Sequence, residues 1–477
     1  MALPLRISII TIVLLGGIMS CSGQADYRAL IDRGEFSKAR EVIHERLKDS
    51  ATDQKERLDM QFQLERIDRI EKDFTKTEEE VLEYIRQYIP EADRTDLRRW
   101  EEEQSVESRI IDGERRYFAR AGRNFFRINT EARKIWEEAH KDAPAGERFD
   151  LDGHIREVMK KAKSSDEMYV KPVRMRIRYT LSVDSNAVPP GEIIRCWIPY
   201  PREIPQRQID IQYLNSNPEQ HIIAPNDQTL QRTIYFERPA VEGRPTTFQV
   251  EYEYTSHGVY LPIDPERVRP VEPIDELKPF LREEPPHIVF TDELKELSSQ
   301  VVGDETNPYR IAQKLFARVD SIPWASAREY STIENISSYC LETKHGDCGI
   351  QTMLFITLCR MNGIPARWQS GWEFEPPDDT MHDWGVIYYA PYGWVPMDVT
   401  YGQRETGDEE HRWFYLHGMD SYRLIFNDAY SQPFYPAKIH PRSETVDSQR
   451  GEVEWRGGNL YFDQWSWDFD WEVVETG

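Results

Sequence analysis

The stretch that decides the fold of the middle of the chain is TKHGDCGIQTMLFITLCRMNGIPAR, residues 343–367. Gly346–Asp347 predicts a turn and a helix N-cap, and the apolar residues after it recur at helical spacing until Asn362–Gly363 ends the helix. Cys348 is therefore predicted in the first helical turn, where free amides and the helix dipole stabilise a thiolate and lower the thiol pKa. Cys359 lies about three turns further along and is interpreted as a small core residue.

A base and an acid that could serve this thiol follow in MHDWGVIYYAPYGWVPMDVTYG, residues 381–402. His382 begins an aromatic and β-branched run, a turn is predicted near Ala390–Gly393, and the returning run carries Asp398. With an odd number of loop residues, His382, Trp384 and Asp398 project from one face of the hairpin, whereas an even number separates them. In the odd register Asp398 can hold the imidazole and favour imidazolium, while the other ring nitrogen faces the cysteine.

These features resemble the transglutaminase-like domain family, whose core lies within the papain-like thiol-enzyme superfamily. The resemblance covers roughly Pro308–Gly402 and rests on the order and flanks of four pieces. They are Gly346-Asp347-Cys348 leading a helix, Gly363-Ile364-Pro365-Ala366-Arg367 after it, His382 with Trp384, and Gly393-Trp394-Val395-Pro396-Met397-Asp398. The family implies Cys348 as nucleophile, His382 as general base and acid, and Asp398 as the residue that orients His382.

The family also implies an oxyanion hole that combines the backbone amide of Cys348 with a second donor from upstream. Trp324 and Tyr339 are candidates for this donor, and Trp384 is a candidate for the cleft lining. Each of the three can equally be a packing residue. His345 is interpreted as a turn or cleft-lining residue because it precedes Cys348 by three positions.

The first residues, MALPLRISIITIVLLGGIMSC, predict export. The apolar run Ile7–Ile18 is too short to span a bilayer and has the length of a signal peptide. Ile18–Cys21 resembles a bacterial lipobox, which implies a lipid on Cys21 and a chain anchored to a membrane of the bacterial cell envelope through that lipid. An ordinary cleaved signal with an incidental cysteine remains the alternative, and the leaflet is open.

Composition excludes several classes of function. The 477 residues include 84 acidic and 60 basic side chains, a formal charge of -24 that opposes binding to nucleic acids and to anionic membrane surfaces. Four cysteines besides Cys21 are too few for a disulfide scaffold in so long an exported chain. Cys196 and Cys340 are interpreted as buried thiols, and a disulfide between them is left open.

The chain is predicted to be a multidomain α+β protein. Helical periodicity runs from Asp26 to about Lys163, and LIDRGEFSKAREVIHERL, residues 30–47, resembles one tetratricopeptide-like hairpin. From Val173 the pattern alternates with period two, which indicates strands. The predicted parts are a lipoprotein signal peptide (1–21), a helical, repeat-like domain (26–165), an antiparallel β-sandwich (169–262), a proline-rich linker (263–290), the papain-like/transglutaminase-like core (291–445) and an aromatic C-terminal strand segment (446–477).

The implied chemistry is attack of the Cys348 thiolate on an amide carbonyl to give a thioester. Water as the acceptor makes a peptidase or amidase, which is favoured by analogy with exported bacterial members, and an amine makes a protein-glutamine transglutaminase. The expected substrate is a protein, peptide or glycopeptide, with no cofactor and no metal. Two alternatives stay open: a zinc site formed by Cys348, His382 and Asp398 with His345, and a non-catalytic envelope adaptor.

Overall fold

The structure, a computed structural model, describes residues 26–142, 148–272 and 274–477. The predicted signal peptide, residues 1–21, and its lipidation site Cys21 lie outside the described residues. Within the described ranges, every helix is too short or too polar to span a bilayer.

The N-terminal part is mainly helical and encloses its own apolar cluster, which includes Phe36, Ile67 and Leu97. Its elements are α1 (Tyr27–Asp32), α2 (Phe36–Lys48), α3 (Gln54–Asp73), α4 (Glu78–Ile85), α5 (Arg94–Glu102), β1 (Ser108–Ile111), β2 (Glu114–Tyr117), α6 (Ala121–Ile128), α7 (Thr130–His140) and α8 (Leu151–Ser165). The β1–β2 hairpin departs from the expectation of a purely helical segment. Its four-residue strands are too short to show alternation, although Asp112–Gly113 is a hairpin-turn signal.

A strand-rich part follows. Its strands are β3 (Tyr169–Val183), β4 (Ile193–Pro199), β5 (Gln208–Asn217), β6 (Ile222–Ile223), β7 (Thr233–Pro239) and β8 (Thr246–Tyr260). In β3 the alternation seen in the sequence buries Met175, Ile177 and Tyr179, because successive side chains of a strand point to opposite faces. Two short 3₁₀ turns, Pro265–Arg267 and Lys278–Leu281, lead into the next part.

The third part mixes helices with a sheet. Its elements are α9 (Asp292–Val302), α10 (Pro308–Asp320), a 3₁₀ turn (Tyr330–Thr332), α11 (Ile336–Thr343), α12 (Cys348–Met361), β9 (Ala366–Glu375), β10 (Asp378–Tyr389), β11 (Gly393–Met397), α13 (Glu409–Arg412), α14 (Phe414–His417), β12 (Gly418–Met419) and β13 (Arg423–Asn427). The chain ends with β14 (Glu452–Trp455), β15 (Gly458–Leu460) and β16 (Trp465–Thr476).

The described chain contains four antiparallel sheets, and two of them join strands from different parts. Their strand orders are β1-β2, β11-β10-β9-β13, β12-β8-β3-β16 with β5 beside β8, and β15-β14-β4-β7-β6. The C-terminal strands therefore pair with the strands of residues 169–262, and β16 follows β3 from Trp465 opposite Val183 to Thr476 opposite Val173. The chain is a multidomain α+β protein with several antiparallel sheets, and the domain boundaries inferred from the sequence stay predictions.

Helix α12 lies at the centre of the third part. Its residues from Gly349 to Arg360 are buried on every side, including the polar side chains of Gln351, Thr352, Thr357 and Arg360. One side of β10 packs on it at Gly385, where an added methyl group would lie 2.4 Å from Met397 Cε and 3.4 Å from Ile356 Cδ1. This contact fixes which face of the sheet looks toward the helix.

Candidate active site

Cys348 is the first residue of α12, as the sequence predicts. The side chain of Asp347 caps the helix by accepting a hydrogen bond from the Ile350 amide at 3.3 Å. The same carboxylate also accepts one from Tyr330 Oη at 2.8 Å, which ties the turn to the upstream loop. The thiol is consequently held at a capped helix start.

Cys348 lines a cavity of about 580 Å³. The lining comes from distant parts of the chain, namely Asp73 with Phe118–Arg120, Trp324 with Ser326–Ser331, Asp379–Met381, Glu444–Asp447 with Gln449 and Arg450, and Trp467 with Phe469. The side chain of Cys348 is half-buried, and the other free cysteines (Cys196, Cys340 and Cys359) are buried. Among the described cysteines, Cys348 is therefore the one that faces a space large enough for a substrate.

The hairpin formed by β10 and β11 has the odd loop that the site hypothesis needs. Tyr389 pairs with Gly393, so three residues form the loop, and Val386 pairs with Pro396. His382, Trp384 and Asp398 consequently share one face of the hairpin. Of the two loop parities that the sequence left open, the structure has the odd one.

His382 belongs to a buried polar cluster on that face. Its Nε2 lies 2.7 Å from Asp398 Oδ2 and 3.6 Å from Glu373 Oε2. Arg423 from β13 completes the cluster, with NH1 at 3.0 Å from Asp398 Oδ2 and 2.9 Å from Glu373 Oε2. Glu373 and Arg423 were not predicted as site residues, because neither belongs to a local motif.

Charge is balanced within this cluster. Burial opposes the charged form of His382, but the carboxylates of Asp398 and Glu373 outweigh burial and raise the pKa of His382. Burial would likewise raise the pKa of Asp398, but His382 and Arg423 lower it below its usual value. The pair therefore favours imidazolium and carboxylate, the states that the sequence-based hypothesis assumes.

Cys348 faces a different residue of β10. Its Sγ donates a hydrogen bond to Asp383 Oδ2 at 3.5 Å. The ladder from His382 opposite Gly371 to Asp383 opposite Ser370 is regular, so His382 and Asp383 point to opposite faces of the sheet. The structure thus brings His382 and Asp398 together and places Cys348 with Asp383, and in the described residues no hydrogen bond joins Cys348 to His382.

The expected lowering of the thiol pKa is wrong for this arrangement. Burial of the sulfur, together with the negative charges of Asp383 and Asp347, raises the pKa of Cys348 well above its ordinary range. The helix start favours a thiolate, but two neighbouring carboxyl groups oppose it at closer range. Asp383 was not predicted as a site residue, because it follows His382 directly in the strand and faces the opposite side.

Trp324 lies beside the cavity, whereas Tyr339 does not. Trp324 is 42% exposed, lines the cavity, and bridges to Gly346 as a short parallel pair. Tyr339 is buried and donates its hydroxyl hydrogen to Glu107 Oε2 at 3.1 Å. Of the two candidates for the oxyanion donor, Trp324 therefore lies beside the cavity and Tyr339 does not.

Trp384 and His345 are both buried outside the cavity lining. Trp384 donates from Nε1 to Gln369 Oε1 at 3.2 Å and stacks beside His382. His345 bonds through Nδ1 to the carbonyl oxygen of Thr343 at 2.9 Å. Trp384 supports the His382 face of the sheet, and His345 lies at the turn before α12, as its first interpretation suggests.

The candidate metal ligands do not assemble as the zinc hypothesis requires. In the described residues, a possible ligand set is Glu373, His382 and Asp398, whose ligand atoms lie within 4.8 Å of one another. Neither Cys348 nor His345 belongs to it. The Arg423 guanidinium already contacts both carboxylates of this set and supplies the positive charge there. These donors do not fit a metal ion.

Comparisons with known proteins support the family resemblance. Residues 295–399 match the family Transglutaminase-like superfamily. YebA, an uncharacterized protein of Bacillus subtilis (strain 168), is 28% identical over 81 residues, which are 14% of this chain and 11% of YebA. The chain thus spans about a tenth of the length of this curated relative.

A solved structure resembles a larger part of the chain. It is the crystal structure of a proposed cysteine protease from Cytophaga hutchinsonii, with 16% sequence identity and a TM-score of 0.44 over 65% of this chain and 94% of that chain. A TM-score of 0.44 is too low to carry an argument about this chain. From the family match, residues 295–399 are a transglutaminase-like domain, as the sequence around Cys348, His382 and Asp398 predicts.

Proposed function

We propose that the chain is a thiol enzyme that cleaves amide bonds with Cys348 as the nucleophile. The observation that carries this proposal is the position of Cys348, at a capped helix start on the wall of a cavity of about 580 Å³. A cavity of this size accommodates a short peptide segment. The transglutaminase-like domain around it supports the same chemistry.

The proposed reaction has two steps. The Cys348 sulfur attacks the carbonyl carbon of the amide, the C–N bond breaks, and the amine leaves with a proton supplied by an imidazolium. Water then attacks the thioester, which releases a carboxylic acid and returns the proton to the thiol. Water is the proposed acceptor because the cavity is open beside the exposed ring of Trp324, and transfer to an amine is the alternative.

His382, oriented by Asp398, is the proposed general base and acid. For His382 to reach Cys348, β10 must shift its pairing by one residue near Asp383, because the regular ladder keeps the two side chains on opposite faces. A β-bulge there is a shift of this kind. Asp383 is the second candidate for the base, and the 3.5 Å contact between Cys348 Sγ and Asp383 Oδ2 favours it.

Export and anchoring complete the proposal. The enzyme is placed in the bacterial cell envelope, held to a membrane by a lipid on Cys21, with proteins, peptides or glycopeptides as substrates. Incorporation of a labelled fatty acid into the chain, and its loss in Cys21→Ala, would test the anchor. Incorporation that persists in Cys21→Ala would contradict it.

The deciding experiment is product analysis on a peptide library, with and without an added amine. Cys348→Ala is expected to abolish turnover, and turnover unchanged in this variant would show that the nucleophile is wrong. Acid products indicate hydrolysis, and amine adducts indicate transfer.

A pair of variants identifies the base. His382→Gln should lower kcat/KM by about 10²–10⁴-fold if His382 is the base. Asp383→Asn should do so if Asp383 has that role, while leaving the fold intact because its shape is kept. If a variant retains turnover, the residue replaced in that variant is not the base.

A further inference from the structure

Carboxyl groups dominate the cavity beside Cys348. Six of them line it: Asp73, Glu329, Asp347, Asp379, Glu444 and Asp447. Three arginines also line the cavity. The lining therefore has an excess of potential negative charge.

The arginines of the lining are already engaged. Arg120 donates to Ser326 Oγ at 3.1 Å, and Arg328 lies 3.6 Å from Glu107, which is outside the cavity lining. Arg450 covers the ring of Trp467 at 5.0 Å and lies 3.8 Å from Glu329. Arg450 also attracts Glu444 and Asp447, but in the described residues no arginine of the lining forms an ion pair with either carboxyl group.

Two buried polar side chains of the lining have no side-chain hydrogen-bond or ion-pair partner in the described residues, although a backbone hydrogen bond and the charge of Arg450 act on Asp447. Asp447 is 7% exposed, and within the described residues neither a hydrogen bond nor an ion pair of another side chain reaches its carboxylate. Ser331 is also 7% exposed, and its Oγ has no hydrogen-bond partner in the described part of the chain. A buried carboxylate left unpaired is costly, so a cationic group of a ligand would be bound favourably there.

The charges around Asp447 also favour the binding of a cationic group. Burial and the carboxylates of Glu329 and Asp347 outweigh the attraction of Arg450 and raise the pKa of Asp447 to about 7. Burial and the carboxylates of Glu329 and Asp447 raise the pKa of Glu444 well above its usual value. An added positive charge would relieve this repulsion.

Asp447 lines the same cavity as the nucleophile. Gln449, two residues after Asp447, donates from Nε2 to Asp383 Oδ1 at 2.9 Å. The other oxygen of Asp383 accepts from the Cys348 thiol. A group bound at Asp447 therefore shares one cavity with the reacting sulfur.

We propose that this cavity selects a substrate that carries a positive charge, an ammonium or guanidinium group near the scissile amide, and that Asp447 and Glu444 bind it. The inference rests on the proposed function, since it names the substrate class of the same site. The probe is a lysine peptide, acetyl-AAKAA-amide, compared with its neutral counterpart that carries Nε-acetyllysine.

Binding is measured on the full chain with Cys348→Ala, so that turnover does not interfere. We expect the lysine peptide to bind at least about tenfold more tightly than the neutral one, as for hydrogen bonds between charged groups. Asp447→Asn should remove most of this preference, and Asp468→Asn, an exposed aspartate on β16, should keep it. Equal affinities for the two peptides, or a preference unchanged in Asp447→Asn, would overturn the inference.

Two further measurements keep the test decisive. If Asp447→Asn fails to fold, as judged by its urea midpoint, Glu444→Gln replaces it and should reduce the preference in the same way. Turnover of library peptides that depends on Cys348 but ignores substrate charge overturns the cation site and leaves the proposed function standing. Charge-selective binding without any Cys348-dependent turnover overturns the proposed function and leaves the cation site standing.

Discussion

Cys348 and Asp383 compete for a single negative charge. Two anionic groups 3.5 Å apart repel each other strongly, so loss of the first proton from the pair makes loss of the second harder. The carboxyl group is the stronger acid and takes the charge first. Burial and the neighbours Asp447 and Asp347 raise the pKa of Asp383 as well. In this arrangement the Cys348 sulfur is therefore a protonated thiol and not a thiolate.

Asp383→Asn should therefore activate the thiol toward simple alkylation. Loss of the competing carboxylate lowers the pKa of Cys348, and we expect iodoacetamide to label Cys348 about tenfold faster at pH 7, since one pKa unit is a tenfold change in thiolate. Asp378→Asn, an exposed position of the same strand, is the matched control. Slower labelling in Asp383→Asn would instead mean that Asp383 accepts the thiol proton.

Arg423 holds the buried acids around His382. It contacts Asp398, Glu373 and Asp420, and its side chain is 1% exposed. Arg423→Ala should lower the free energy of unfolding by about 3–5 kcal/mol, because it leaves buried carboxylates without their cation. Urea denaturation measures the loss.

The control for Arg423→Ala is Arg178→Ala. Arg178 is half-exposed and pairs with Glu251 at 3.5 Å. Its removal should cost less than about 1 kcal/mol, as for surface ion pairs. Similar losses in the two variants would contradict the role assigned to Arg423.

At the scale of elements, β16 joins the C-terminus to both the strand-rich part and the cavity. Phe469 of β16 stacks on Trp372 of β9 with ring centroids 4.8 Å apart, and it also lines the cavity. Trp471 donates from Nε1 to Asp379 of β10 at 2.8 Å. One strand therefore supports a sheet, a wall of the cavity and the start of β10.

Phe469→Ala tests this support. We expect a loss of about 2 kcal/mol in the free energy of unfolding, less than for a fully buried phenylalanine because the ring is half-buried. Val474→Ala on the same strand is the control, since Val474 is 44% exposed and its truncation should change stability by less than about 0.5 kcal/mol. Equal effects would place Phe469 outside the packed core.

At the scale of the whole molecule, acidic groups with shifted pKa values set the dependence of stability on pH. Burial and neighbouring carboxylates raise the pKa of Asp73 and of Asp447 to about 7. Between pH about 4 and about 7 the folded chain therefore holds protons that the unfolded chain has released. Stability falls as pH rises through this range, and repulsion from the formal charge of -24 acts in the same direction.

At acidic pH, stability changes with pH in the opposite direction. The pKa of Glu452 is lowered to about 2, because Arg442 and Lys438 outweigh the effect of burial. Its contribution is lost as pH falls from about 4.5 toward about 2. We therefore expect the thermal midpoint to be higher at pH 5.5 than at pH 8 and to drop again below about pH 4. Asp447→Asn should flatten the decline between pH 5.5 and 8, and a midpoint that rises across that range would contradict the assignment.

Local patterns predicted much of the site because their causes are local. Asp347 caps α12, and the helix has the bounds expected from the turn before Cys348 and from Asn362–Gly363 after it. A turn near Ala390–Gly393 was likewise predicted from its residues, whereas the odd number of loop residues is seen only in the pairing of Tyr389 with Gly393. The family motif located the transglutaminase-like domain.

Other features depend on contacts between distant residues. Arg423 reaches His382 and Asp398 because β13 pairs with β9, and β16 forms a cavity wall because it pairs with β3 almost 300 positions earlier. The sequence pattern of one strand does not reveal which distant strand it pairs with. Glu373 and Arg423 were missed for this reason.

The sequence by itself determined the transglutaminase-like domain and the helix start at Cys348, because turns, caps and strand alternation act over a few residues. The common face of His382 and Asp398 depended on the number of loop residues, which the strand pairing supplied. Alternation also dictates that His382 and Asp383 point to opposite faces, but it does not say which of them looks toward Cys348. Tertiary packing decided that, through the contact of Gly385 with Ile356 that lays one face of β10 on α12. The physical reason is that a strand has two equivalent faces until a neighbouring element buries one of them.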